Sequence, residues 1–158
     1  MIEVTAPALA GHPFLRGMAP GQLEALAAAA SDVTFPAGHR IFETGGFAGK
    51  FWLIRSGRVS LDVHVPGNGR MIIDAAGIGE LVGWSWLFPP YQWTCGAVCV
   101  TAVEAFEFDA AAVRARSAAD PLFGYELTGR FLRVLAVRLQ RARAGLVARA
   151  VTSTANSV

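Results

Sequence analysis

From Asp32 to Asp109 the chain is cut into short apolar stretches of period two, each closed within a few residues by glycine or proline. Val33-Thr34-Phe35 runs into Pro36-Ala37-Gly38, Ile41-Phe42 into Gly45-Gly46, and Phe51 to Ile54 into Ser56-Gly57. Val59, Leu61, Val63 and Val65 alternate with Ser60, Asp62 and His64 as far as the turn Pro66-Gly67-Asn68-Gly69. Alternation sends successive side chains to opposite faces, so each stretch reads as a strand with one face in a core and a turn at its end. Met71-Ile72-Ile73, Cys95 to Val103 and Ala105 to Phe108 supply further strands. About seven or eight short strands in roughly 75 residues imply a sandwich or barrel of jelly-roll type, over about 32–109.

On either side the period lengthens. Leu15 to Ala30, with Pro20 near its start and Leu23 and Leu26 on an Ala-rich background, suits a short amphipathic helix. Ala110 to Ala118 reads as another. Pro121 opens a long helix in which Phe123, Leu127, Phe131, Val134, Leu135 and Leu139 recur at helical spacing. The expected fold class is therefore mainly β with flanking helices: a jelly-roll sandwich, an N-terminal helix and a long C-terminal helix. At 158 residues and 53% hydrophobic, the chain has the length and apolar content of one domain. That domain is expected over about 12–149, its C-terminal helices over about 110–149, with a small polar tail at 150–158 expected to be disordered.

The net charge of +2 is too small for a nucleic-acid footprint, although Arg130, Arg133, Arg138, Arg141, Arg143 and Arg149 crowd the last helix. The segment from Leu81 to Val103 carries no formal charge, but Pro89-Pro90 interrupts it and argues for a buried turn and strand rather than a membrane span. No basic region precedes an apolar run at the N-terminus, so the expected location is the cytoplasm. Cys95 and Cys99, four apart on one strand, stand roughly 13 Å apart, too far for a disulfide, and read as buried thiols.

Gly79-Glu80-Leu81, followed by a short loop and then Trp93-Thr94-Cys95 leading into a strand, resembles the phosphate-binding cassette of the cyclic-nucleotide-binding domain family. The resemblance extends from about His12 to Leu146 and includes Phe35-Pro36-Ala37-Gly38, Gly45-Gly46 and Ile54-Arg55-Ser56-Gly57-Arg58-Val59. It is to the sensory half of the catabolite-activator and Fnr-like regulators, without a helix-turn-helix after the long helix, and so implies a stand-alone sensory or adaptor module.

The resemblance also implies a site. Backbone N–H groups from Gly79, Glu80, Leu81 and Val82, at the start of a short helix, are expected to receive a phosphate, and Glu80 to accept a bond from a ribose hydroxyl. The family's phosphate arginine falls at Trp93, with Thr94 and Cys95 where Ser or Thr and Ala belong. The loop before it is about three residues longer than usual and holds Trp84, Trp86, Phe88 and Tyr91, with Gln92 as the polar side chain nearest the phosphate. Loss of one partner of a buried charge pair costs about 2 to 5 kcal/mol, which turns a micromolar site into a near-millimolar one. The ligand implied is thus cyclic AMP or cyclic GMP held weakly, or another small aromatic molecule, and replacing Trp93 by Arg is expected to strengthen nucleotide binding.

Other readings stay open. Trp84, Trp86 and Trp93 read first as packed core or loop anchors and only second as a cage for a ligand. His12, His39 and His64 are scattered and lack the spacing by which a cupin barrel holds a metal, so a cupin-like enzyme is the alternative and no catalytic or metal-binding residue is assigned. A third reading is an interaction adaptor or regulator acting through a DNA-binding partner. Expected partners are a small-molecule effector or a protein and a second copy of the chain, joined through Leu127, Phe131, Val134, Leu135 and Leu139, with no direct nucleic-acid or membrane contact.

Overall fold

A computed structural model describes residues 3–156. Two four-stranded antiparallel sheets face one another, with strand orders β1-β8-β3-β6 and β2-β7-β4-β5. The strands are β1 (Ala30–Phe35), β2 (Arg40–Phe42), β3 (Lys50–Ser56), β4 (Val59–Val65), β5 (Gly69–Ala76), β6 (Leu81–Val82), β7 (Gly96–Cys99) and β8 (Val103–Asp109). The helices are α1 (Ala6–Ala10), α2 (Pro20–Ala27), α3 (Ala110–Ala119) and α4 (Pro121–Ala155). This is the expected jelly roll with its helical flanks. The turn at Gly57 admits no other residue, because its φ is +89° and a Cβ there would overlap the carbonyl of Ala102.

Three departures from expectation have local causes. The N-terminal helical segment is split, because Gly17 adopts φ +82° between a 3-10 turn at Pro13–Leu15 and α2, which starts on Pro20 and ends at Ala27, shortly before β1. The helix expected immediately after Glu80 is replaced by the two residues of β6, which pair with Trp52 and Leu53, and the helical turn between Glu80 and Trp93 is the 3-10 turn Ser85–Leu87. At the other end, α4 continues through the expected tail to Ala155, with Thr152 and Thr154 donating to the carbonyls of Ala148 and Ala150. Residues 157 and 158 of that tail lie outside the described residues.

An aromatic cluster fixes α4 on the roll. Phe51 of β3 stacks on Phe108 at 4.6 Å and on Trp86 at 4.8 Å, and Phe131 of α4 meets Phe51, Trp86 and Phe14 edge-on, each at 5.2 Å. Asp109 caps α3 by accepting from Ala111 and Ala112, and Asp120 caps α4 by accepting from Phe123. His12 ties the N-terminal segment to β3: its Nε2 lies 2.8 Å from the Ile54 carbonyl while its Nδ1 accepts from the Phe14 N–H. Both ring nitrogens are thus engaged in the neutral form, and burial lowers the ring's pKa. Among the described residues no helix is long and apolar enough to cross a membrane.

Candidate functional site

The second half of α4 lies beside β5 and encloses a groove of about 620 Å³ lined by Leu61, Met71, Ile73, Asp74, Trp84, Thr94, Cys95, Arg138 and Arg141. A second hollow of about 310 Å³ lies on the other side of Arg138, against Phe14, Gly79, Glu80, Leu81 and Val134. Arg138 and Arg141 line both spaces. Arg138 is 8% exposed, donates through Nη2 to the Leu81 carbonyl, and holds its guanidinium 4.9 Å over the Trp84 ring. Burial lowers its pKa, and the nearby carboxylates of Asp74 and Glu80 oppose that shift.

The sequence-predicted site residues divide between different places. Gly79 has φ +81°, and a Cβ on it would press on the Pro13 ring. Its N–H is bonded to the Ile54 carbonyl at 2.9 Å, and the Glu80 N–H to the Gly77 carbonyl at 3.1 Å. Leu81 and Val82 are buried strand residues. The expected helix-terminal phosphate cradle is therefore corrected: β6 takes its place, and the amides of Gly79 and Glu80 already have acceptors. The Glu80 carboxylate is partly exposed, 4.0 Å from Arg141 Nη1.

Trp93 and Gln92 leave the site altogether. The Trp93 ring is buried, stacked on Phe42 at 3.8 Å and tilted against Trp52 at 6.0 Å, and its tip closes on Gly83, where a Cβ would meet it at 2.9 Å. Gln92 is exposed and bridges to Phe47. The reading that grouped both with Glu80 is corrected, because the longer loop folds the tryptophan inward between the sheets. Trp86 is core, whereas Trp84 and Thr94 do line the groove.

Burial raises the pKa of the Cys95 thiol, which disfavours the thiolate and leaves a weak nucleophile. Cys95 and Cys99 are both free. No cluster of three or more His, Cys, Asp or Glu suited to a metal is present among the described residues.

The arginines of the neighbouring strands are committed elsewhere: Arg55 pairs with Asp32 at 3.0 Å, and Arg70 with Glu43 at 3.2 Å. Arg138, Arg141 and Arg149 are the cations at the groove, and the sequence marks them only as part of a basic helix. The missed signal was position. Residues 127, 131, 134 and 138 follow one inward stripe, so an arginine stands where a core residue is due.

The same stripe corrects the dimerisation set. Leu127 and Phe131 are 2% and 0% exposed against their own roll, Val134 packs on the core and Leu135 is half-buried, which leaves Leu139 as the exposed member.

The family model described as the cyclic nucleotide-binding domain matches residues 32–120. A CRP-like cAMP-activated global transcriptional regulator of Mycobacterium tuberculosis is 31% identical over 133 residues, 84% of this chain. The chain spans 58% of that relative's length. A putative cyclic nucleotide-binding protein from Geobacter metallireducens superposes with a TM-score of 0.78 at 24% identity, over 88% of this chain and 99% of that one. A cAMP-binding acyltransferase from Mycobacterium smegmatis gives 0.67 at 26% identity, over 88% of this chain and 41% of its own. The matched segment covers more than half the sequence and contains the jelly roll from Asp32 onward, and the chain belongs to the cyclic nucleotide-binding domain family.

Proposed function

We propose that the domain is a non-enzymatic regulatory module that senses a small molecule in the groove between β5 and α4, with ligand specificity altered from that of a cyclic-nucleotide sensor. The observation that carries this reading is the bond from Arg138 to the Leu81 carbonyl, which joins the cassette strand directly to the long helix. A ligand that displaces or reinforces that bond changes how α4 sits on the roll. Two further observations support the altered specificity: Trp93 is spent on core packing, and the N–H groups of Gly79 and Glu80 are spent on backbone bonds. The non-enzymatic part rests on His12, whose ring nitrogens are both engaged, and on Cys95, held as a thiol.

A homodimer through the outer face of α4 belongs to the same proposal. Leu122, Tyr125, Gly129, Leu132, Ala136, Leu139, Arg143, Leu146 and Ala150 alternate at spacings of three and four, and all are exposed. That is a coiled-coil seam in which Gly129, Ala136 and Ala150 set small residues between the larger ones.

NMR titration with cyclic AMP to several millimolar tests the sensing site. Shifts at Met71, Ile73 and the Trp84 indole, with Trp93 unmoved, are expected; an unmoved groove, or shifts centred on Trp93, would contradict the assignment.

A further inference from the structure

Arg138 carries an unmet demand. Its Nη1 is buried and has no hydrogen-bond partner, and the carboxylates around it stand off. Asp74 Oδ2 is 3.8 Å from Arg138 Nε, while Arg141 Nη1 is 3.8 Å from Asp74 Oδ1 and 4.0 Å from Glu80 Oε2. These distances allow Coulomb attraction but exceed hydrogen-bond reach. A buried guanidinium with an orphaned donor is costly, and an acceptor arriving at that donor removes the cost. Three guanidinium groups, Arg138, Arg141 and Arg149, line the groove against one carboxylate, Asp74. Even with Glu80 counted, one positive charge is left over.

Apart from Thr94, the rest of the groove is mainly apolar. Met71 and Ile73 of β5 are 47% and 57% exposed, and Trp84 presents a flat ring already covered on one side by the Arg138 guanidinium. Charge at one end and exposed apolar surface along the wall describe an amphipathic guest.

We propose that the groove takes a small ligand with a flat apolar body and one anionic head group, the head on Arg138 Nη1 and Arg141 and the body against Trp84, Met71 and Ile73. This rests on reading the groove as the sensing site and deepens it, because the anion is received by the helix instead of the cassette. Ligand charge then acts on α4 without an intermediary.

A matched pair of fluorescent probes separates head from body: 8-anilinonaphthalene-1-sulfonate and its uncharged counterpart N-phenyl-1-naphthylamine, each titrated into the full chain with energy transfer from tryptophan as the readout. The wild type is expected to hold the sulfonate at least about tenfold more tightly than the neutral amine. Arg138→Gln is expected to abolish that ratio, with the variant's fold checked independently by its circular dichroism and thermal unfolding. Arg141→Gln, at an exposed position, is expected to reduce the ratio several-fold and guards against an Arg138 variant that fails to fold. Equal affinity for the two probes in the wild type, or a ratio that survives both substitutions, overturns the anion clamp while leaving the groove as an apolar site. Absence of binding by either probe overturns the clamp and the sensing groove together.

Discussion

Trp93 shows how one residue changes role with the length of the loop that carries it. The spacing of the cassette puts it at the phosphate, yet its ring forms part of the wall between the sheets, stacked on Phe42. The expectation that Trp93→Arg restores nucleotide binding is therefore reversed. Arg at this position removes the aromatic stack and buries a charge without a partner, so the variant should lose about 3 to 5 kcal/mol of stability and gain no affinity for cyclic AMP. Urea denaturation and calorimetry on the same sample check both halves; a stable variant that binds the nucleotide more tightly would restore the cassette reading. His12 gives a pH signature at the same scale. Its folded pKa is lowered, so the unfolded chain takes up a proton first as pH falls. Its stability contribution is complete above about pH 6.5 and declines below that value toward the lowered folded pKa. The urea midpoint of the wild type should fall between pH 7.5 and 5.5, and His12→Gln, already weaker, should show a flatter profile over that window. Equal slopes would mean that His12 is not held neutral.

At the scale of elements, the strands and turns were legible because alternation and glycine punctuation are local signals, and the observed boundaries Ala30 and Asp109 lie close to those expected. Helix α4 was legible as a helix but not in its orientation. Phe123, Leu127, Phe131 and Val134 form a stripe that could face a partner or the molecule's own roll, and the choice is made by Phe51, Phe108 and Trp86, residues distant in sequence. With that stripe turned inward, the outward seam is the one that includes Tyr125, Leu132, Leu139 and Leu146, exposed by 81%, 64%, 53% and 64%. Leu139→Asp should convert a dimer to a monomer in sedimentation experiments without lowering the monomer's thermal midpoint, since the side chain touches no core. Leu127→Asp should instead unfold the roll. A wild type that sediments as a monomer at tens of micromolar, roughly the range of a weak interface, contradicts the seam.

For the molecule as a whole, the site arises from the docking of α4 on the β4–β5 side of the roll, and it could not be read from any one segment. Gly79 and Glu80 mark its edge, Thr94 and Trp84 its wall, but its charge comes from Arg138, far along the chain. The cassette pattern in the sequence singles out Gly79, Glu80 and Trp93, and folding engages the two amides in backbone bonds and the tryptophan ring in core packing. The central claim is that this fold has lost the cassette's phosphate seat while keeping a ligand groove. Calorimetric titration of cyclic AMP into the wild-type chain tests it most directly. Binding no tighter than the near-millimolar range is predicted, whereas a one-site isotherm with a dissociation constant at or below about a micromolar would contradict it.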